Sequence, residues 1–189
     1  MHAGGIGLEI GEVMKRNIIL KEILALAKSL VIAVVCVLII QNTLIVHALV
    51  VSSSMEGTVM TGSRIMGSRI AYHANAPERF DIILFQAPDG DTTIPYLKRI
   101  IGLPNEKVEI RDGKVYIDDS DIPLDDFFIK EEARGNYGPF MVPEDHYFVL
   151  GDNRNNSYDS KNWANTYLAR DRIQGKIYIE YFPTPHLLE

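Results

Sequence analysis

The feature that most constrains this chain is one long apolar run near its start. Ile23–Ile40 is apolar at every position except Lys28 and Ser29. After Gln41-Asn42-Thr43 the apolar character resumes from Leu44 to Val51, broken only by His47. A helix crossing the hydrocarbon of a bilayer needs ~20 such residues. Two framings fit: Ile23–Ile40 with Lys28 reaching back to the headgroups, or Ser29–Val46 with the polar triplet near the far interface. Both predict one transmembrane helix, placed here at residues 23–44. A buried helix in a soluble protein would show a polar face, and this run has none. A cleavable leader ending at Val46-His47-Ala48 is the other alternative. The long polar start and the distance from the run to that site weigh against it.

This run divides the chain into residues 1–22, a tail; 23–44, the span; and 45–189, a polar domain. Lys15, Arg16, Lys21 and Lys28 precede or enter the span, and the next basic residue after it is Arg64. The positive-inside rule then predicts a single-pass protein of the cell membrane. Its N-terminus is cytoplasmic and its main domain extracytoplasmic, so the lipid bilayer is one partner.

Of the 189 residues, 25 are acidic and 19 are Lys or Arg, a net charge of -6. That balance argues against a nucleic-acid partner, which needs a basic face to neutralise phosphates. The single cysteine, Cys36, lies in the apolar run, so the polar domain has no internal disulfide and must hold by packing. None of His2, His47, His73, His146 and His186 stands at ligand spacing from another His or a Cys. No metal or cofactor is therefore predicted.

Beyond residue 45 the pattern is strand and turn. Strands are predicted at 69–72, 81–85, 96–103, 108–111, 114–117, 147–150 and 173–181. The Asp112-Gly113 pair between two alternating runs marks a two-residue hairpin, whose central residues need positive φ. Residues 118–138 are acidic and irregular and are expected to form an exposed excursion. No helical period recurs. The fold class is mainly β: a single N-terminal transmembrane helix followed by a domain of antiparallel β-sheets.

Two stretches do not suit a bland β domain. In Tyr96-Leu97-Lys98-Arg99-Ile100-Ile101-Gly102, alternation puts Lys98 on one face with Tyr96 and Ile100, and Arg99 on the other with Leu97 and Ile101. One adjacent cation must thus share its side with apolar residues; a solvated lysine on an edge strand is the competing reading. The second is Gly151-Asp152-Asn153-Arg154-Asn155-Asn156-Ser157-Tyr158-Asp159-Ser160, directly after an apolar strand. Asp, Asn and Ser build fixed turns there and can also supply hydroxyl and carboxylate groups to a site.

These blocks, with Ser52-Ser53-Ser54-Met55-Glu56-Gly57-Thr58 after the span and Arg79-Phe80-Asp81-Ile82-Ile83-Leu84-Phe85 between, stand in one order. In that order they resemble the bacterial type I signal peptidases, in the short form common in Gram-positive bacteria. The resemblance implies a serine endopeptidase that cleaves signal peptides from exported preproteins after small residues (Ala-x-Ala). It implies Ser54 as nucleophile and Lys98 as general base. Ser52 and the backbone N–H of Ser54 would form the oxyanion hole. Ser157 would hydrogen-bond the lysine amine, with Asp159 and Arg99 in support. Ser53 takes no role.

The chain departs from the family pattern at several positions. Gly57 stands where proline is usual, Phe80 and Ser53 where glycine is usual, and Lys161 where arginine is usual. The arginine fork toward Asp159 would be lost with Lys161. Some relatives without the dyad assist surface-pilus assembly, so an accessory factor or a dedicated pilin-processing factor is the alternative. A self-cleaving repressor would need a DNA-binding helical domain where residues 1–50 offer a span.

Overall fold

The computed structural model describes residues 4–88 and 94–188, in two units divided after Thr43. The first unit is helix α1, Gly4–Thr43. It starts well before the apolar run, over residues expected as a polar tail. Its stretch Ile19–Thr43 holds an 18-residue window of mean hydropathy 3.0 and is long and apolar enough to cross a membrane. Three of the polar side chains in it bond back to their own helix. Ser29 Oγ donates to Ala25 O, Asn42 Nδ2 to Leu38 O and Thr43 Oγ1 to Ile39 O. Such i−4 bonds satisfy side-chain donors without water, as a hydrocarbon surround demands.

The second unit is built of antiparallel strands. They are β1 (Ile45–Leu49), β2 (Arg64–Ser68), β3 (Ile82–Gln86), β4 (Pro95–Gly102), β5 (Lys107–Arg111), β6 (Lys114–Ile117), β7 (Tyr137–Met141), β8 (His146–Leu150), β9 (Leu168–Ala169), β10 (Ile173–Phe182) and β11 (His186–Leu187). The larger sheet runs β1-β2-β10-β3-β4-β8-β9, with β11 against β10; the smaller runs β6-β5-β7. The fold is thus mainly antiparallel β with one N-terminal apolar helix, as expected.

Strand β4 is central. It pairs with β3 on one side (Ile83 opposite Lys98) and with β8 on the other (Arg99 opposite Leu150). Leu97 through Gly102 are all buried, because apolar clusters cover both faces. Leu97 joins Val46, Met55, Val59, Ile65 and Leu84. Ile100 joins Ile83, Phe85, Val149 and Trp163. Ile101 joins Val108, Phe128 and Phe148 beside the smaller sheet. A lysine at position 98 is therefore in the interior and not on a solvated edge.

The Asp112-Gly113 hairpin forms as expected, with φ of 49° and 79°. The expected strand at 69–72 does not form; the strand there is β2, at 64–68. Arg69 ends the pairing, donating from its N–H to Leu44 O and from Nε to Ile45 O, and the chain then turns. Strand β7 was hidden in the sequence by Gly138-Pro139. A proline removes one ladder donor, which an edge strand such as β7 tolerates. The turn expected at Pro88-Asp89-Gly90 falls partly outside the described residues.

Candidate active site

The residues before β2 set the turn of Ser54, the nucleophile turn of the sequence prediction. Val50 N donates to Ser63 O and Gly62 N to Val50 O, so the chain leaves β1 still tied to its return. It then tightens into a 3₁₀ turn at Ser53–Met55 with Ser52 at its start. Met55 is buried and pins the turn to the core. The first N–H groups of such a turn lack an internal acceptor. Ser54 is among them, with its N–H and hydroxyl on the same residue.

Lys98 comes to this turn from the middle of β4. Its Nζ lies 2.6 Å from Ser54 Oγ and donates to Leu97 O at 3.1 Å. The side chain is buried, with Nζ 5.6 Å from the Tyr96 ring centroid. Burial pushes the Lys98 amine down to about 8, while the Asp159 carboxylate pulls the other way. Desolvation wins because the charged form loses its hydration and no carboxylate contacts it directly. Ser52 Oγ lies 3.3 Å from Ser54 Oγ. A hydroxyl, an amine poised near neutrality and a second hydroxyl thus meet within one small volume. That is the equipment for activating a serine toward a carbonyl.

The loop after β8 clasps this turn. Asn153 N donates to Ser54 O and Asn153 Nδ2 to Ser53 O. Asn156 Nδ2 donates to Ser53 Oγ. Ser53, expected to have no role, is therefore the residue by which the loop grips the turn. Gly151 lies where the two meet: a Cβ there would sit 2.2 Å from Ser157 Oγ and 2.4 Å from Ser54 O. The Gly151→Ala variant is expected to displace Ser54 and lower any activity that depends on the Ser54–Lys98 contact by roughly a hundredfold, the scale of an ~1 Å misplacement. Steady-state kinetics on the folded variant check this, and wild-type kcat would contradict it.

The supporting residues differ from expectation in detail. Ser157 Oγ is buried beside Gly151 but hydrogen-bonds neither Lys98 nor any other described group. Its place is taken by Leu97 O, which holds the amine from the lysine's own strand. Asp159 is fully buried; it accepts from Gly151 N at 3.0 Å and from Lys161 Nζ at 3.0 Å on each oxygen. Lys161 therefore reaches both carboxylate oxygens without a guanidinium fork, as well as Ser157 O at 3.2 Å.

Arg99 pairs with Asp152. Its Nε donates to Oδ1 at 3.0 Å and its Nη2 to Oδ2 at 2.7 Å. Both side chains are almost wholly buried. Thr58 Oγ1 also donates to Asp152, at 2.6 Å, which ties the far end of the nucleophile turn to β4. Asp152 was missed in the sequence. The signal was there: alternation places Arg99 inward, and a buried cation requires a buried carboxylate.

Two departures from the family pattern have conformational meanings. Gly57 has φ of 104°, which a proline, held near −65°, cannot adopt. Phe80 has φ of 74°, a region costly for any residue with a Cβ. Its ring packs edge-on against Phe128 at 5.4 Å and its carbonyl accepts from Arg99 Nη1 at 2.9 Å. Those contacts hold a backbone that glycine would adopt freely.

A groove of about 700 Å³ opens onto Ser54 and Lys98, walled by residues 47–54 on one side and Ile94–Lys98 on the other. A separate cleft of about 620 Å³ around Tyr72, His73, Asp145 and Arg170 holds none of the predicted residues.

The family model described as signal peptidase, peptidase S26, matches residues 23–182. A probable signal peptidase I-2 of Synechocystis sp. is 38% identical over 122 residues, 62% of this chain and 54% of that protein. The chain thus spans little more than half of that relative's length. Signal peptidase I P of Bacillus subtilis subsp. natto is 34% identical over 171 residues, covering 86% of this chain and 90% of its own. The crystal structure of a signal peptidase I from Enterococcus faecalis V583 is 32% identical, covers 54% of this chain and 97% of its own, and has a TM-score of 0.45. With its family model matched from the apolar helix to the end of β10, this chain belongs to the signal peptidase family, peptidase S26.

Proposed function

We propose that this protein is a membrane-anchored serine endopeptidase that removes signal peptides from exported preproteins. The observation that carries the reading is the buried contact of 2.6 Å between Lys98 Nζ and Ser54 Oγ. Neutral Lys98 takes the proton of Ser54 as its oxygen attacks the scissile carbonyl. An ordinary lysine is ~0.1% neutral at pH 7.4, whereas one at about 8 is roughly 20% neutral. The oxyanion is received by the Ser54 N–H and the Ser52 hydroxyl, donors worth about 10²–10³ in rate each. Lys98 then returns the proton to the leaving amine, and water hydrolyses the acyl-enzyme. Asp159 and Arg99 hold the loop and strand on which these groups stand. Ser157 lines the site next to Gly151.

The groove favours an extended peptide. Among the described residues, strand β1 lies at the edge of its sheet, and residues 95–98 of β4 pair with β3 and not with β8. Both walls thus keep free backbone edges for strand addition, with side-chain pockets selecting small residues. Residues 23–44 form the membrane anchor; the basic residues before it keep residues 1–22 cytoplasmic and place residues 45–189 on the extracytoplasmic side. Nothing in the site favours a non-catalytic assembly role, since both dyad residues are present and in contact.

The test uses the full chain in detergent and a preprotein with an Ala-x-Ala site. Wild type is expected to cleave after the second small residue. Ser54→Ala is expected to lose cleavage by a factor on the order of 10⁴ or more. Cleavage by Ser54→Ala at the wild-type rate would sink the dyad.

A further inference from the structure

The acidic excursion between β6 and β7 touches the scaffold of the site without lining its groove. Asp126 Oδ2 accepts from Arg154 Nη1 at 2.9 Å. Asn155 is bonded on both sides of its amide: Nδ2 donates to Glu132 O at 3.0 Å, and Oδ1 accepts from Arg134 N at 3.1 Å. Phe128 stacks on the Arg99 guanidinium at 4.0 Å. The aliphatic stem of Lys130 lies against Gly57, 3.7 Å from where its Cβ would be. Arg154 and Asn155 share one 3₁₀ turn with Asn156, whose amide donates to Ser53 Oγ. A continuous path therefore leads from the excursion, through residues 154–156, to the residue before the nucleophile.

Stability alone is a poor reason for the central link of this path. Arg154 is 7% exposed, yet its Nε and Nη2, and Oδ1 of Asp126, find no hydrogen-bond partner among the described residues. A single-pronged buried pair gains little over apolar residues of the same volume. What it does supply is a fixed direction and length between two irregular segments. Apolar contacts, being non-directional, would not reproduce that.

We propose that residues 126–134 are a positioning strap: through Asp126–Arg154 and Asn155 they hold the 151–160 loop, and with it Ser53 and Ser54, at the distance that Lys98 requires. Asp126, Arg154 and Asn155 are positioning residues that touch neither substrate nor the reacting atoms. This assignment rests on the peptidase reading above.

The experiment compares wild type with the double variant Asp126→Leu, Arg154→Met on a peptide bearing an Ala-x-Ala site. The double variant is expected to melt at or above the wild-type temperature, with kcat reduced at least ~10-fold and KM unchanged. Wild-type kcat in the folded double variant would overturn the strap. If the double variant does not fold, the exposed Asn155→Ala variant decides, with lowered kcat at unchanged KM expected. Wild-type kcat there would overturn the proposal as well. Failure of wild type itself to cleave would instead reject the peptidase reading, so the two failures are distinguishable.

Discussion

Replacing Lys98 by methionine is expected to make the protein inactive and, at neutral pH, more stable. Lys98 is 3% exposed, and burial lowers its amine from the ordinary 10.5 to about 8. Between pH 8 and 10.5 the unfolded chain binds a proton that the folded chain has lost. Stability therefore rises with pH through that window, and the penalty of the buried ammonium is fully present below pH 8. A shift of this size corresponds to about 3 kcal/mol. Methionine fills a similar volume without a charge. The variant should thus melt several degrees above wild type at pH 7, and the gap should close near pH 10. Cleavage should fall by a factor on the order of 10⁴. The kcat/KM of wild type should climb through pH ~8 as Lys98 becomes neutral. Thermal melts at the two pH values are the check, and a variant less stable than wild type at pH 7 would refute the argument. On the proposed mechanism the destabilising lysine is also the general base, a cost in stability carried for chemistry.

The opposite result is expected for the neighbouring cation. Arg99→Met strips Asp152 of the charge-assisted bonds from Nε and Nη2 and leaves a carboxylate that is 3% exposed, with the Thr58 hydroxyl still donating to it. Removing one partner of a buried pair costs ~3–5 kcal/mol, because the survivor keeps its charge and loses its compensation. The denaturation midpoint should drop accordingly with little change in slope. Activity should fall too, since Asp152 joins Thr58, at the end of the nucleophile turn, to the strand that carries Lys98. Adding Asp152→Leu to Arg99→Met should restore much of the stability and little of the activity. A double variant as unstable as the single one would show that the uncompensated charge is not the cause.

These two residues are adjacent in sequence, carry the same charge and differ in fate by strand parity. Arg99 faces the side where the 151–160 loop offers a carboxylate in direct contact. Lys98 faces Ser54 and a backbone carbonyl, with carboxylates acting only at a distance. Arginine cannot relieve its burial by losing a proton, and lysine can. Exchanging the two would place a permanent charge at the hydroxyl and a deprotonable group in the ion pair, removing both functions.

Much of this molecule is written in local pattern. The apolar run from Ile23 determined a helix able to span a membrane. Alternation marked strands β5 and β6, with Asp112-Gly113 as their hairpin, and short apolar runs between turn signals marked β3, β4, β8 and β10. The order of four short blocks determined the family, and within them Ser54 and Lys98 as a pair to be tested against geometry. The tertiary structure decided what depends on partners distant in the chain. It ended β2 at Ser68 through carbonyls of Leu44 and Ile45, and gave Arg99 the carboxylate of Asp152. It left Ser157 out of the lysine's hydrogen bonds, and turned Ser53 and the acidic excursion from bystanders into parts of the scaffold. The physical reason is common to all of these. Periodicity and turn chemistry are set by neighbours along the chain, whereas the partner of a buried polar group is whichever complement the fold brings within ~3 Å.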